Sequence, residues 1–360
     1  MNKHGILVSL LLVLLLGSCT TDFDLNAPWK DITIVYGLLN QNDTIHYIKI
    51  NKTFLGDSDA YDMAKIRDSS EYKNLSAVVE EWEDDVMIKS NELHEILITN
   101  KSTLDYYGNT GIFYAPEQKV YYFNDPNLNP KNKFKLVINI GEGKKTVSAE
   151  TEIVDDFVVT FPPRNFPVSF ATSTDYTTQD IKWASAKDGK RYDTKLVFHY
   201  NDQKVSGSDT VMEAHTIEMG LQTLKSFDIV GGKEMKIAVD GEDFYKIVGD
   251  RVNDITEDTG VLKRWPGMLD IVVTVAGDDL NTYIDVNSPS TGIVQEKPEF
   301  TNIDNGIGIF SSRYQKVEER EMSSQSITEL VRGQLSGYTT AKGFCHTGKP
   351  KNDPESCYHN

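Results

Sequence analysis

The chain has 360 residues and a formal net charge of −17. Its length exceeds that of an ordinary single domain, which favours two domains. Because so acidic a protein repels phosphate backbones, its charge argues against nucleic acid as a partner.

The N-terminal segment has the layout of a secretory signal. A basic start and an apolar run precede the sequence Leu-Gly-Ser-Cys at Leu16–Cys19. A membrane-spanning helix needs about 20 apolar residues, and this run from Ile6 is shorter. Small residues directly before a cysteine resemble a bacterial lipoprotein signal. The resemblance implies cleavage between Ser18 and Cys19 and lipidation of Cys19 with palmitate or a similar acyl chain. A plain secretory signal is the alternative.

Residues 19–30 are predicted to form a polar tether after the signal peptide at residues 1–18. Asp22 and Asp24 follow Cys19 closely and resemble the surface-export signal of Bacteroidetes lipoproteins. The resemblance implies an outer-membrane protein on the cell surface, held by the lipid on Cys19. The periplasmic leaflet of the outer membrane is the alternative location.

Residues 31–160 consist of strand-like segments separated by turns rich in Asn, Asp, Gly and Pro. The segments Ile32–Leu39 and Thr44–Phe54 predict a β-hairpin, and Phe134–Ile138 with Thr146–Thr151 predict another. The spacing favours a mainly β protein whose N-terminal domain is an immunoglobulin-like β-sandwich.

The segment Phe161–Pro167 is the predicted domain boundary, because its prolines oppose sheet pairing and stiffen the connection. Residues 165–320 are predicted to form a second β-rich domain with one or two short helices. Residues 321–360 are predicted to form a C-terminal tail that contains a helix and a disulfide.

Three helices are predicted from capping and apolar spacing. The first spans Ala60–Asp68 with Asp59 as its N-cap. The second spans Asp243–Asp254, where apolar residues recur every four positions. The third spans Ser324–Gly333, with Gly333 at its C-terminal end.

Two cysteines remain in the tail after Cys19 is assigned to lipid. An exported protein meets an oxidising compartment, so a Cys345–Cys357 disulfide is predicted. The alternative is a metal site formed by these cysteines with His346 and His359, although a Cys-His doublet is not a usual zinc spacing.

No motif predicts a catalytic residue, a metal ligand or a cofactor. The acidic segments Glu80–Asp85 and Asp57–Asp62 lack the layout of an EF-hand, so we expect solvated charged edges, with Ca²⁺ binding as the alternative. Asp43-Thr44-Ile45 and Asp209-Thr210-Val211 resemble the acceptor sequence of Bacteroidetes O-glycosylation. This resemblance implies modification of Thr44 and Thr210.

Three longer segments resemble one family. They are Asp31–Phe54, Val147–Thr151 and Thr301–Ser311. Together they are similar to Bacteroidetes outer-membrane lipoproteins that share a domain of unknown function. Members of that family often occur with TonB-dependent transporters, and no catalytic residues accompany the resemblance.

We therefore expect a protein without enzymatic activity that has a binding or assembly role at the cell envelope. The resemblance implies a TonB-dependent outer-membrane barrel as its partner. A surface adhesin or structural protein is one alternative, and an enzyme acting on glycans or peptides is another.

Overall fold

The computed structural model describes residues 32–53, 59–104, 108–141, 143–207, 209–288 and 299–359. The predicted signal peptide, the Ser18–Cys19 cleavage site, the lipidated Cys19 and the tether at 19–30 lie outside these residues. The described chain is mainly β, as its sequence predicts. Within it, no helix has both the length and the apolar character needed to cross a membrane.

The strands of the described chain alternate buried and exposed side chains along much of their length. In chain order they are β1 (Thr33–Leu39), β2 (Ile45–Lys52), β3 (Leu75–Glu83), β4 (Val86–Glu92), β5 (His94–Ile98), β6 (Gln118–Asn124), β7 (Lys133–Ile140), β8 (Lys145–Glu152), β9 (Val159–Phe161), β10 (Thr178–Ala184), β11 (Arg191–Ser206), β12 (Asp209–Lys225), β13 (Glu234–Asp240), β14 (Val261–Ala276) and β15 (Gly306–Arg320).

Helices are short and few in the same residues. They are α1 (Ala60–Ala64), α2 (Arg67–Ser70), α3 (Gly241–Arg251), α4 (Asp278–Asn287) and α5 (Ser324–Arg332), with a 3₁₀ turn at Glu257–Thr259.

The first part of the chain forms a β-sandwich around its own core. One sheet has the order β15–β1–β2–β6–β5, and the other has the order β4–β3–β7–β8. Side chains of both sheets meet in one buried cluster, to which Val35 and Ile48 contribute from one side and Val79 and Phe134 from the other. Packing of two apolar sheet faces against each other is what holds such a sandwich together.

The second part has a separate core, built by the sheet β12–β11–β14–β15, the sheet β13–β10–β9 and the helices α3 and α5. Its largest buried side chains include Trp183, Tyr192, Phe198 and Phe244. Asp240 caps α3, because its carboxylate accepts hydrogen bonds from the amides of the first turn.

Strand β15 belongs to both parts. Its first seven residues pair in parallel with β1, and Arg313–Arg320 pair antiparallel with β14. The parallel register brings Gly308 against Val35, where a side chain at Gly308 would place its Cβ 2.0 Å from the Val35 carbonyl oxygen. Residues that the sequence analysis placed in the second domain therefore complete the sheet of the first.

Both predicted hairpins are confirmed, since β1 pairs with β2 and β7 pairs with β8, each antiparallel. The single helix predicted over Ala60–Asp68 is wrong: Ile66 adopts an extended conformation and separates α1 from α2. Asp59 does cap α1 by accepting a hydrogen bond from the Tyr61 amide. Helix α4 was missed, because its apolar residues are too few to form a clear stripe.

The predicted disulfide is present between Cys345 and Cys357. Both sulfurs are consumed by this bond, so the alternative metal site of these cysteines with His346 and His359 is wrong. Helix α5 is also confirmed, and Gly333 ends it in the left-handed conformation that glycine adopts readily.

Candidate functional site

The sheet β15–β1–β2–β6–β5 turns its second face to solvent. Because successive side chains of a strand point to opposite faces, Val35 and Ile48 lie in the core while Tyr36, Tyr47 and Lys49 point outward. Tyr36 is 44% exposed and Tyr47 is 48% exposed. Large rings exposed this far on a sheet provide contact area that the fold itself does not use.

Further rings extend this surface across neighbouring strands. The ring centroids of Tyr47 and Tyr122 lie 6.3 Å apart, and those of His94 and Tyr122 lie 5.8 Å apart. At the other end, Tyr283 of α4 meets Tyr36 edge-on at 6.4 Å. We call these five residues the aromatic face.

A cavity of about 310 Å³ opens at one end of the aromatic face. Its floor is the outer surface of β1 and β2, and its walls are α1, α2, Lys101 and residues 113–118. Residues that line it include Tyr36, Lys49, Lys52, Arg67, Lys101 and Phe113. We call it the lysine pocket.

Hydrogen bonds fasten the walls of the lysine pocket to its floor. The Asn51 side-chain amide on β2 donates to the Ser70 carbonyl at 3.0 Å. The Tyr114 amide donates to the Ala64 carbonyl at 2.9 Å, which ties residues 113–118 to α1. Hydrogen bonds therefore join α2 to the floor of the pocket and residues 113–118 to α1.

Both carboxylates that line the described part of the pocket are already bound by a cation. Arg67 Nε lies 2.8 Å from Glu71, and Arg67 Nη1 lies 3.4 Å from Glu117. The hydrogen bond to Glu71 raises the pKa of Arg67. Glu71 also accepts a hydrogen bond from the Lys119 amide at 3.0 Å. Arg67 therefore engages both carboxylates and balances one of their two charges.

The lysines of the pocket are in the opposite situation. Among the described residues, no carboxylate lies within 4 Å of the ammonium groups of Lys49, Lys52 or Lys101. Lys101 Nζ donates to the Tyr114 carbonyl at 2.6 Å and lies 5.9 Å from the centre of the Phe113 ring. Burial lowers the pKa of Lys101, and the charge of Lys49 lowers it further. An anion placed here would relieve this repulsion.

A histidine–aspartate pair lies elsewhere, on the outer face of β11 and β14. His199 Nε2 is 2.8 Å from Asp270 Oδ2. Among the described residues, Asp270 is the side chain to which the His199 ring is hydrogen-bonded. A hydrolytic triad needs a nucleophile within hydrogen-bond reach of the histidine, and no described hydroxyl or thiol occupies that position. The pair therefore fits a cross-strand contact.

The acidic segments behave as charged edges and local contacts. Glu81 is buried and accepts a hydrogen bond from the Asn132 amide at 2.7 Å, while Glu80 accepts one from the Trp82 indole at 3.0 Å. Asp59 caps α1, and Asp57 lies outside the described residues. In the part of the chain that the structure describes, no group of three or more metal-ligating side chains is gathered.

The remaining predicted site residues do not line the lysine pocket. Thr44 and Thr210 are both exposed, in a turn before β2 and near the start of β12. The disulfide joins Cys345 and Cys357 in the tail. Sequence analysis did not single out the pocket lysines, although the alternation in Thr44–Phe54 was a usable signal that Tyr47 and Lys49 share one face.

Comparison with known proteins gives little likeness. No family model matches the chain, and no curated protein matches it. A solved structure that it resembles is the C-terminal globular domain of an oligosaccharyltransferase from Pyrococcus abyssi, with 15% identity and a TM-score of 0.17. The match covers 58% of this chain, and the chain spans only 38% of that structure. A likeness this weak carries no argument about fold or function.

Proposed function

We propose that this protein is a lipid-anchored binding protein of the bacterial outer membrane, related to the Bacteroidetes lipoproteins that its sequence resembles. It acts without catalysis and holds an anionic ligand on the aromatic face and in the lysine pocket. The supporting observation is the group of three lysines without carboxylate partners that lines a ring-bearing cavity.

The charge of the pocket supports an anionic ligand. The chain as a whole is strongly acidic, so a local excess of ammonium groups stands out against its surroundings. Each hydrogen bond from an ammonium group to a carboxylate contributes about 1.5–3 kcal/mol. Two such contacts at Lys49 and Lys101 are enough to select an acidic ligand over its neutral form.

The rings support a saccharide that carries this charge. Specific small-molecule sites combine apolar or aromatic walls with a few placed polar groups, and this pocket has that composition. The aromatic face continues beyond the pocket over Tyr47 and Tyr122, so it offers ring surfaces to further units of a chain. We therefore propose an acidic glycan that contains uronic acid units.

Calorimetric titration with an oligogalacturonate tests this function. We expect binding to the acid form, and at least a tenfold weaker binding to its methyl ester. Lys49→Met and Lys101→Met should each weaken binding by about tenfold or more. Lys246→Met is the control, because Lys246 is an exposed lysine on α3, away from the pocket. Equal binding by the parent protein and both pocket variants would overturn the assignment.

The anchor is tested separately. Cys19→Ala should move the protein from the membrane fraction to the soluble fraction. Incorporation of labelled palmitate by the Cys19→Ala variant would contradict anchoring through Cys19. For the proposed partner, mild-detergent extraction with cross-linking should recover a TonB-dependent barrel in near-equal amount. Recovery of the lipoprotein alone would remove the transporter from the proposal.

One observation favours a second function, assembly with another protein through a sheet edge. In the described chain β4 and β5 are edge strands, and Val86, Met87 and Ile88 of β4 are each about half exposed or more. Apolar edge strands with unpaired backbone groups can accept a strand from a partner. Replacement of Val86 and Ile88 by lysine should abolish such a complex in sedimentation analysis and leave glycan binding intact.

A further inference from the structure

The loop between β12 and β13 displays apolar side chains to solvent. Phe227 is 97% exposed, Val230 is 75% exposed and Ile229 is 39% exposed. Complete exposure of a phenylalanine keeps its ring in water at a cost of about 2 kcal/mol relative to burial. A group of such residues on one loop marks an interaction site. We call Phe227–Val230 the apolar loop.

The apolar loop is held in place by hydrogen bonds to the turn that precedes β11. The Asp188 amide donates to the Ile229 carbonyl at 2.8 Å, and the Gly232 amide donates to the Ser185 carbonyl at 2.7 Å. The Ser226 amide donates to the Lys190 carbonyl at 2.8 Å. These contacts fix both ends of the loop, so the exposure of Phe227 is part of the fold.

The conformation of the loop also requires glycine at position 231. This residue has a φ of +88°, and a Cβ at this position would lie 2.7 Å from the Lys187 amide nitrogen. Only glycine fits this close approach of the two turns. The loop can therefore reverse tightly and project Phe227 and Val230 outward.

Cations surround the apolar loop. The Lys190 ammonium donates to the Phe227 carbonyl at 3.2 Å, which places a positive charge at the backbone of the loop. Lys187 and Lys225 lie on the same two turns but are ion-paired, with Asp188 and Asp285 respectively. Among the described residues, no carboxylate lies within 4 Å of the ammonium groups of Lys190 and Lys233. Lys190 and Lys233 are therefore the ammonium groups that could contact an anionic surface beside the loop.

The apolar loop lies within reach of the point at which the described chain enters the fold. The distance from Thr33 to Lys225, at the end of β12, follows from the strand registers. Thr33 pairs with Gly306 on β15, and Arg313, seven residues further along β15, pairs with Ala276 on β14. Ala276 pairs with Arg191 on β11, which in turn pairs with Lys225. Strand dimensions make that path about 30 Å as a straight line. Residues 20–31 span about 40 Å when extended, so a lipid on Cys19 can enter the same membrane that the loop touches.

We propose that the apolar loop inserts into the lipid surface beside the anchor, with Phe227 and Val230 in the acyl boundary and the lysines at lipid phosphates. An apolar tip with flanking basic residues is the composition of interfacial membrane contacts. Contact at this loop in addition to the lipid would fix the orientation of the protein on the membrane. The inference rests on the proposed lipid anchoring, goes beyond ligand binding and does not depend on the lysine pocket.

Vesicle binding by unlipidated Cys19→Ala protein without the predicted signal peptide (residues 19–360) tests the loop alone. Cys19→Ala protein carrying Phe227→Trp is mixed with vesicles of phosphatidylethanolamine and phosphatidylglycerol. We expect its added tryptophan emission, measured against the Cys19→Ala parent, to shift to the blue and to be quenched by brominated lipid. Unchanged emission at saturating vesicle concentration would overturn the proposal.

A second measurement uses sedimentation with the same vesicles. Phe227→Ser combined with Val230→Ser should lower the partition coefficient by about tenfold or more. Phe166→Ser is the matched control, since Phe166 is another exposed phenylalanine at 64% exposure. Equal partitioning of the double variant and the parent would contradict membrane contact. In cells, a photo-crosslinker at position 227 that labels a protein and no lipid would assign the loop to a protein partner.

These outcomes are separate from those of glycan binding. Lys49→Met and Lys101→Met should leave vesicle partitioning unchanged, and the loop variants should leave oligogalacturonate affinity unchanged. Failure in one assay with success in the other therefore identifies which proposal is wrong.

Discussion

Removal of the disulfide by Cys345→Ala with Cys357→Ala is expected to destabilise the second part of the fold by about 3 kcal/mol. The bond joins residues that are 12 positions apart. The chain-entropy relation for a closed loop of this size gives about 3 kcal/mol at 25 °C. Both cysteines are buried, at 5% and 1% exposure, so loss of their packing adds to this cost.

The contacts of the tail show which region should open. The Arg264 amide on β14 donates to the Gly343 carbonyl at 2.8 Å, and the Cys345 amide donates back to the Arg264 carbonyl at 2.9 Å. Phe344 lies in the core of the second part. Without the disulfide, the unfolded tail gains conformational freedom, and this segment is expected to separate from β14 first.

Thermal unfolding followed by circular dichroism measures the effect. A loss of 3 kcal/mol predicts a fall in Tm of about 6–12 °C for a unit of this size. A reducing agent should lower the Tm of the parent by a similar amount and leave the Tm of the cysteine-to-alanine protein unchanged. Hydrogen exchange should report faster opening at residues 341–346. If the double variant and the oxidised parent melt within about 1 °C of each other, the entropic argument is refuted.

Two further substitutions test the fold. Gly308→Ala should destabilise the protein by about 3 kcal/mol or more, because Gly308 has a φ of +115° and the added Cβ would clash with the Val35 carbonyl. Urea denaturation measures the change in the free energy of unfolding. Gly220→Ala is the control, because a Cβ at Gly220 would lie in open space. For Asp125, burial raises the pKa of the carboxyl, but hydrogen bonds from Lys89, the Asn127 amide and Asn91 outweigh it and lower the pKa overall. Its stabilising effect is therefore present above the unfolded pKa of about 3.9 and disappears as pH falls through the lower folded value. Asp125→Asn should cost about 1–3 kcal/mol at pH 7 and progressively less below pH 4 in chemical denaturation, whereas a constant difference would contradict the role of the charge.

Local features of the fold were predictable from the sequence because they depend on neighbouring residues. Alternation along Ile32–Leu39 and Thr44–Phe54, with a turn between them, is sufficient to indicate the hairpin of β1 and β2. Asp59 and Gly333 follow the capping preferences of helix ends. The disulfide followed from the expected compartment and from the presence of two cysteines in the tail.

The parallel pairing of β1 with β15 was not predictable in the same way. It joins segments near opposite ends of the chain, and neither segment contains a sequence pattern that indicates its partner strand. The pocket also depends on contacts between residues that are distant in sequence. Lys49 lies on β2, whereas Lys101 is held near it by a hydrogen bond to Tyr114, whose amide is bonded to Ala64 of α1. Sequence alternation therefore identifies outward-facing residues but not the group that they form.

Strand β15 also links the two proposed contact surfaces. Tyr36 of the aromatic face lies opposite Ile309 on β15, and the continuation of that strand pairs with β14 beside the sheet that leads to the apolar loop. The Val154 amide donates to Ser312 at 3.0 Å in a buried contact at the same junction. Since one continuous strand runs through both sheets, a domain hinge at this point would have to break its ladder. The two surfaces should therefore keep a fixed relation, and a membrane-bound loop would hold the aromatic face at a set orientation to the lipid.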